Sequence, residues 1–122
     1  MINMPRYLGT PEYNLVCENL KTIARQRGNP TGYKLVFKIM KLTPGNYAAN
    51  QAGYILGEIS EQMHLAGKPM LSALIINQDL GTPGKGFFEL ATLLGKLPAG
   101  ANDREKIAFW KKELADIYTT EW

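Results

Sequence analysis

The sequence predicts a mainly α-helical fold (α+β) with one small β element. Three observations within residues 33–88 lead to this prediction: two helical apolar patterns joined by a short turn, an extended apolar run, and a glycine-rich loop. Helix, turn, longer helix, strand and turn follow one another in the order of a winged helix-turn-helix core. Further helical patterns flank this core on its N- and C-terminal sides.

Length and composition indicate a single domain covering residues 1–122. The apolar fraction of 45% suits a folded core, and no run approaches the roughly 18 apolar residues of a membrane span. The first residues show no basic and apolar leader pattern. The one cysteine, Cys17, lies among helically spaced apolar residues, where core packing is its usual role, and with a single histidine it does not make a zinc site. We expect a cytoplasmic protein without membrane contact, metal or cofactor.

An N-terminal helix over residues 10–28 is predicted to follow a flexible arm of residues 1–9. Thr10 suits an N-cap, and Pro11 suits the first helical position, where a missing N–H costs nothing. Apolar residues then recur on one face as far as Gly28, a residue typical of helix ends.

Residues 33–66 are predicted to form the helix-turn-helix. Its first helix covers residues 33–42, its turn residues 43–46 and its second helix residues 47–66, which Gly67 terminates. Apolar side chains recur at helical spacing in the second helix at Ala48, Ala52, Ile55, Leu56, Ile59 and Met63.

Positive charge is concentrated in the first third of the chain. Residues 1–43 contain seven lysine or arginine residues against two glutamates, a local charge of +5, whereas the whole chain carries +3. Lys34, Lys38 and Lys41 stand at positions i, i+4 and i+7 and would form one basic stripe on the first helix of the helix-turn-helix. Such a stripe suits nucleic-acid phosphates, although a solvated lysine surface has the same pattern.

The second helix of the helix-turn-helix changes character along its polar face. Its first half carries aromatic and amide side chains, and its second half carries carboxylates. These residues are Tyr47, Asn50, Gln51 and Tyr54, followed by Glu58 and Glu61. Amides near a helix start can read adenine edges of double-stranded DNA, and the later carboxylates suit an end that points away from phosphate. An ordinary polar surface is the alternative interpretation.

A strand and a wing-like turn are predicted over residues 69–86. Residues 70–76 form the extended run, and residues 77–86 form a loop whose tip carries Lys85, within reach of a phosphate. The glycines of this loop also suggest a phosphate-binding loop. In that motif the lysine is followed by Ser or Thr, but here Gly86 follows Lys85, which favours a turn.

Residues 87–122 are predicted to form two C-terminal helices. A short apolar helix covers residues 87–95, and a final helix begins at Asn102 with a capping box to Glu105. The predicted core combines apolar residues from all of these elements: Leu20, Ile23, Val36, Ile39, Ile55, Leu56, Ile59, Leu74, Ile76, Phe88, Leu93, Trp110 and Leu114.

Several stretches together resemble one family of DNA-repair proteins. Gly32-Tyr33 at a helix start is similar to the family's Thr-Tyr-Gly, and residues 53–57 (Gly-Tyr-Ile-Leu-Gly) are similar to its Arg-Ala-Val-Gly recognition helix. Residues 69–77 and 81–88 resemble its strand, turn and Gly-Tyr-Ser-Gly-Gly lid. The family is that of the O6-alkylguanine-DNA alkyltransferases and alkyltransferase-like proteins, in their C-terminal domain. The resemblance covers less than half of the chain and implies a winged-helix DNA binder that extrudes a damaged base.

The chain departs from this family at the reacting residues, because the Pro-Cys-His-Arg signature is absent. The cysteine position falls near Ser72, the histidine on Ala73, and the arginine that replaces the flipped base is matched by Tyr54. A serine without a neighbouring histidine keeps its proton at neutral pH and is a poor alkyl acceptor. The resemblance therefore implies a non-enzymatic use of the fold, with duplex DNA bound by the second helix and the wing.

Two functions of different classes remain open. The first is a non-enzymatic DNA-binding protein that contacts DNA through Lys34, Lys38, Lys41, Tyr47, Asn50, Gln51, Tyr54 and Lys85. The second is a small accessory or inhibitor protein, for example phage- or mobile-element-encoded, that binds a larger nucleic-acid-processing protein. Catalysis is not expected, because His64 has only Glu61 as a nearby acid and no nucleophile or metal.

Overall fold

The computed structural model describes residues 5–122 and is mainly helical, as the sequence predicts. Five α-helices, one 3₁₀ helix and a two-stranded sheet form the regular structure of this part of the chain. In chain order the elements are α1 (Pro11–Arg25), β1 (Thr31–Gly32), α2 (Lys34–Met40), α3 (Asn46–Leu65), the 3₁₀ helix (Leu71–Leu74), β2 (Ile75–Ile76), α4 (Lys85–Leu93) and α5 (Asp103–Thr119). Residues 1–4 of the predicted arm lie outside the described residues.

Side-chain caps confirm two of the predicted helix starts. Oγ1 of Thr10 accepts a hydrogen bond from the N–H of Tyr13 at 3.2 Å, and Pro11 is the first residue of α1. Asn102 caps α5 by accepting from the N–H of Glu105 at 2.8 Å, and the Glu105 carboxylate accepts from the N–H of Asn102 at 3.2 Å. Both caps satisfy N–H groups that the first turn of a helix leaves without partners.

Helices α1 and α2 end earlier than predicted, and a residue in the left-handed region follows each of them. α1 ends at Arg25 and not at Gly28, because Arg27 adopts a φ of 51° and the chain turns back there. α2 ends at Met40, and Lys41 follows with a φ of 56°. Lys41 therefore lies beyond the helix, and the predicted continuous stripe of three lysines on one helix is wrong.

Helix α3 agrees with the prediction to within one residue at each end. Gly67 adopts a φ of 74° after the helix, and the N–H of Lys68 donates to the carbonyl of Met63 at 2.8 Å, which closes the last turn. Neither α3 nor any other helix within residues 5–122 has the length and apolar content to cross a membrane.

The strand predicted over residues 70–76 is mostly a 3₁₀ helix. Residues 71–74 are buried in helical conformation, and only Ile75 and Ile76 extend as β2. β2 pairs in parallel with β1, and the register sets Thr31 against Ile75 and Gly32 against Ile76. A short apolar run fits a strand and a buried helical turn equally well, so its periodicity did not distinguish the two.

Side chains from neighbouring helices satisfy the backbone of the 3₁₀ helix in place of a sheet partner. The carbonyl of Ala73 accepts a hydrogen bond from Nε1 of Trp110 at 2.9 Å. The N–H of Ser72 donates to Oγ of Ser60 at 3.1 Å. Because buried backbone groups need partners, these contacts anchor the 3₁₀ helix at the centre of the core, against α1, α3 and α5.

The predicted wing is a short turn closed by one antiparallel bridge between Asn77 and Thr82. Oδ1 of Asn77 accepts hydrogen bonds from two following backbone N–H groups, and Gly81 adopts a φ of 72°. α4 begins directly after this turn, so Lys85 is the first residue of a helix and not the tip of a wing. The predicted position of Lys85 is wrong. The glycines on both sides of Lys85 are typical of a turn and did not indicate that a helix begins there.

Most of the predicted core residues are buried or pack against the core. The buried ones are Leu20, Val36, Ile55, Leu56, Ile59, Leu74 and Phe88, and the partly buried ones are Ile23, Ile39, Trp110 and Leu114. Leu93 is 65% exposed and Ile76 is half-buried, so neither is a core residue. Cys17 is buried as predicted, and burial raises the pKa of its thiol, which stays protonated at neutral pH.

Candidate nucleic-acid interface

The first half of α3 presents three exposed side chains on one face. Tyr47, Asn50 and Tyr54 stand at positions i, i+3 and i+7, which places them on the same side of the helix. Tyr47 is 69% exposed, Tyr54 is 41% exposed, and Asn50 is exposed as well. The structure therefore leaves these three of the four predicted DNA-facing residues of α3 open to solvent.

Gln51, the fourth of these residues, is buried and faces the N-terminal segment. Only 9% of its surface is exposed, and its Oε1 accepts a hydrogen bond from the hydroxyl of Tyr7. Each residue turns a helix by about 100°, so Gln51 leaves the face of Asn50 and shares the buried side with Ile55. The prediction that Gln51 reads a base edge is wrong.

The carboxylates in the second half of α3 are buried and not exposed. Glu58 is 3% exposed and Glu61 is 7% exposed. Oε1 of Glu58 accepts hydrogen bonds from the N–H groups of Tyr7 and Leu8, each at 2.9 Å. Oε2 of Glu58 has no hydrogen-bond partner within residues 5–122. The part of the predicted flexible arm that the structure describes is thus docked on α3.

This docking brings Arg6 to the exposed face of α3. Cζ of Arg6 lies 3.9 Å from the centre of the Tyr54 ring, within the range of a cation–π contact. No motif or periodicity in the sequence marks Arg6 as a residue of this face. Its position depends on the hydrogen bond from the N–H of Tyr7 to Glu58, a carboxylate 51 residues further along the chain.

A pocket of about 380 Å³ opens beside Tyr54. Helix α3, the 3₁₀ helix, α4 and the residue before α2 contribute to its walls, which are mostly aromatic or apolar: Tyr33, Tyr54, Leu56, Phe87, Leu90 and Leu93. Gly53 and Gly57 also line it, and a methyl group at Gly53 would meet no atom within 4 Å, so this side of the pocket is open. Its volume lies in the range of roughly 300–1,000 Å³ that small-molecule sites occupy.

Ser72 is one of the residues that line this pocket. Its Oγ lies 2.6 Å from Oγ of Ser60, which also accepts from the N–H of Ser72. A second serine is not a base, and the single histidine of the chain, His64, lines a different pocket with Lys68. Among the hydrogen bonds of residues 5–122, the Ser72 hydroxyl is therefore joined to another serine and not to a basic group.

The three predicted lysines of the helix-turn-helix are all exposed, but they do not form one stripe. Lys34 and Lys38 lie one turn apart on α2, whereas Lys41 lies in the left-handed turn that follows. Lys34 and Lys38 line a shallow groove with an apolar floor that includes Phe37 and Leu42. None of the three lysines forms an ion pair with a carboxylate of residues 5–122. Their charges are available to an anionic partner.

Lys85 is exposed at the start of α4 and forms an ion pair with Glu89. Its Nζ lies 3.5 Å from Oε1 of Glu89, and the two side chains are 91% and 59% exposed, so the pair stabilises the helix little. Glu89 also lines the pocket beside Tyr54. Lys85 therefore contacts a residue of the pocket wall but does not itself line the pocket.

No protein-family model matches the chain, and comparison with curated proteins and with solved structures finds no similar protein.

Proposed function

We propose that this chain is a non-enzymatic DNA-binding protein that lays the exposed face of α3 against duplex DNA. One observation carries the proposal: Tyr54 and Ser72 line the same pocket. In the family resemblance these two positions match the arginine that replaces a flipped base and the cysteine that accepts the alkyl group. Residues aligned independently with two parts of a base-flipping site thus lie together, on two different elements.

The chemistry of the pocket suits an unpaired base. Its aromatic and apolar walls, among them Tyr33 and Phe87, offer ring faces and edges to a planar heterocycle. Burial raises the pKa of Tyr33, so its phenol stays neutral and can donate or accept a hydrogen bond. Tyr54, at 41% exposure, is large enough to fill the gap that an extruded base would leave in the duplex.

The charges around α3 suit the DNA backbone. Lys34, Lys38 and Lys41 are exposed and free of ion pairs within residues 5–122, and they lie on α2 and on the turn that leads to α3. Lysine ammonium groups that neutralise phosphates release bound counterions, which gives salt-dependent affinity. Asn50 on the exposed face of α3 is the remaining amide for a base edge.

The proposed function is non-enzymatic because the pocket lacks an activated nucleophile. The Ser72 hydroxyl is hydrogen-bonded to Ser60, and neither serine can take the other's proton at neutral pH. Binding in this pocket would therefore be reversible, and a damaged base would be held and not repaired.

The proposal is tested by fluorescence anisotropy with three probes: an intact duplex, the same duplex with one mismatch or abasic site, and a single strand. We expect the logarithm of the affinity for both duplexes to fall linearly with the logarithm of the salt concentration. We also expect tighter binding to the damaged duplex, because an already unpaired base costs less to extrude. Absence of binding to all three probes at low salt would contradict the proposal.

A second function, an accessory protein that binds a larger nucleic-acid-processing protein, is favoured by a different observation. Leu65, Leu80 and Leu93 are each about two-thirds exposed, at 66%, 65% and 65%. Leu93 also lines the pocket beside Tyr54, so apolar surface and pocket are continuous there. A stable stoichiometric complex with a protein partner in the absence of DNA would support this function over DNA binding.

A further inference from the structure

Three hydrogen bonds fasten the segment Pro5–Leu8, the arm, to α3. The N–H groups of its last two residues donate to Oε1 of Glu58, each at 2.9 Å, and the hydroxyl of Tyr7 donates to Oε1 of Gln51. A fourth contact ties the arm to the start of α1, because Oγ1 of Thr10 donates to the carbonyl of Tyr7 at 2.6 Å. The backbone on either side of Tyr7 is therefore held in one position relative to α3.

The fastened arm carries a guanidinium to the ring of Tyr54, a residue of the pocket wall. Arg6 is exposed, and its Cζ lies 3.9 Å from the centre of the Tyr54 ring. No carboxylate within residues 5–122 forms an ion pair with Arg6. A guanidinium stacked on a ring keeps its N–H donors pointing outward along its own plane, in the fork that matches two phosphate oxygens.

Burial of the Glu58 carboxylate lowers the stability of the fold unless its hydrogen bonds to the arm compensate. A carboxylate that is 3% exposed has lost its hydration, and only one of its two oxygens has a hydrogen-bond partner within residues 5–122. Those partners are both backbone N–H groups of the arm. The carboxylate therefore stabilises the position of the residues next to Arg6.

We propose that Arg6 binds a backbone phosphate of the DNA that lies on α3, beside the pocket at Tyr54, and that Glu58 is the positioning residue that holds Arg6 there. This inference rests on the proposed function. A long, flexible arginine loses conformational entropy when it binds, and an arm and a ring that already hold it reduce this loss. Basic N-terminal arms also accompany a groove-binding helix on other folds, where they reach into the adjacent minor groove.

The test measures anisotropy of a labelled duplex with one abasic site over a series of salt concentrations. Arg6→Ala is expected to bind about tenfold more weakly at low salt and to reduce the magnitude of the salt slope by about 0.9, the value for one phosphate. Glu58→Ala is expected to give the same slope as Arg6→Ala. The double variant should be no weaker than the weaker single variant, because both changes remove the same contact.

Two matched controls accompany these variants. Glu58→Gln retains a side-chain oxygen that can accept both N–H groups, so its slope should equal that of the parent. Lys111→Ala removes an exposed charge from α5, away from α3, and should also leave the slope unchanged. Melting temperatures show whether Glu58→Ala is folded. If it is not, Glu58→Met, which fills similar space but offers no oxygen to the two N–H groups, replaces it and should give the same slope as Arg6→Ala.

The outcomes separate this inference from the function on which it rests. If the parent binds the duplex but Arg6→Ala has the parent's affinity and slope, the phosphate contact is refuted and the proposed function stands. If Arg6→Ala loses the contact while folded Glu58→Ala, or Glu58→Met in its place, keeps the parent's slope, the positioning role of Glu58 is refuted. If the parent binds no DNA, the proposed function and this inference fail together.

Discussion

Oε1 of Gln51 accepts a hydrogen bond from the hydroxyl of Tyr7, so this amide fastens the N-terminal segment to α3 and does not face solvent. Its neighbour Asn50 is exposed on the face that also carries Tyr54. Two amides that are adjacent in the sequence therefore have different roles. One stabilises the fold, and the other is available to a partner.

The first prediction separates these roles. Gln51→Ala should lower the free energy of unfolding by about 1 kcal/mol, the usual value of one hydrogen bond, whereas Asn50→Ala should leave stability unchanged. On a preferred DNA site, Asn50→Ala should weaken binding by roughly 1 to 3 kcal/mol and leave non-specific binding intact. Urea unfolding and anisotropy measure the two effects. Equal stability of both variants would show that the contact between Tyr7 and Gln51 contributes nothing.

The parts of the fold that the sequence predicts correctly are those that neighbouring residues determine. Thr10 and Asn102 each cap a helix by accepting a hydrogen bond from the N–H three residues further on. Gly67 terminates α3 because it adopts a left-handed φ. Each of these signals lies within a few residues of the structure it determines. Helix α3 and its exposed face could therefore be found from the sequence, together with Tyr47, Asn50 and Tyr54.

The parts that the sequence does not predict depend on distant partners. The 3₁₀ helix is held by Ser60 and Trp110, which lie 12 and 37 residues from the groups they bond. Arg6 reaches α3 only because Glu58 binds the backbone next to it. No periodicity encodes such pairs, so the pocket beside Tyr54 and the position of Arg6 emerge only in three dimensions.

The second prediction concerns the core and compares two leucines. Leu56 is 5% exposed on α3, and Leu93 is 65% exposed on α4. Leu56→Ala should cost roughly 2 to 5 kcal/mol, because it leaves a cavity as well as removing apolar contact. Leu93→Ala should change stability by less than about 0.5 kcal/mol. Chemical denaturation measures both, and a Leu56→Ala variant as stable as the parent would show that the buried face of α3 is assigned wrongly.

The third prediction follows from the left-handed conformation of Lys41, whose φ is 56°. Glycine adopts this conformation without the steric cost that a side chain brings, roughly 1 to 2 kcal/mol. Lys41→Gly should therefore be more stable than Lys41→Ala by about 1 kcal/mol, although both variants lose the same charge. Thermal melts compare the two. Equal melting temperatures would mean that residue 41 is not left-handed in solution.

The fourth prediction concerns the charges of Lys34, Lys38 and Lys41. Replacing all three by glutamate should weaken DNA binding for every sequence and flatten its salt dependence, because phosphate contacts carry no sequence information. The fold should survive, since all three side chains are exposed. Reversing Arg104 and Lys111, two exposed cations of α5 without an ion pair within residues 5–122, in the same way provides a control for charge alone. Unchanged affinity in the α2 variant would mean that these lysines are only a solvated surface.

The last prediction tests the role of Tyr54 against that of Tyr47, a tyrosine on the same face of α3. Tyr54 lines the pocket and contacts Arg6, whereas Tyr47 is 69% exposed and does not line the pocket. If Tyr54 fills the gap left by an extruded base, Tyr54→Ala should weaken binding to a mismatched or abasic duplex more than binding to an intact one.

Tyr47→Ala should weaken binding to both duplexes by the same small factor, because a surface contact does not depend on whether a base is extruded. The deciding quantity is therefore the ratio of affinities for damaged and intact duplex, measured by anisotropy for the parent and both variants. The proposed phosphate contact of Arg6 cancels in this ratio, since it would be present on both probes. An unchanged ratio in Tyr54→Ala would assign Tyr54 to the helix surface, and loss of a protein complex in the same variant would favour the accessory function.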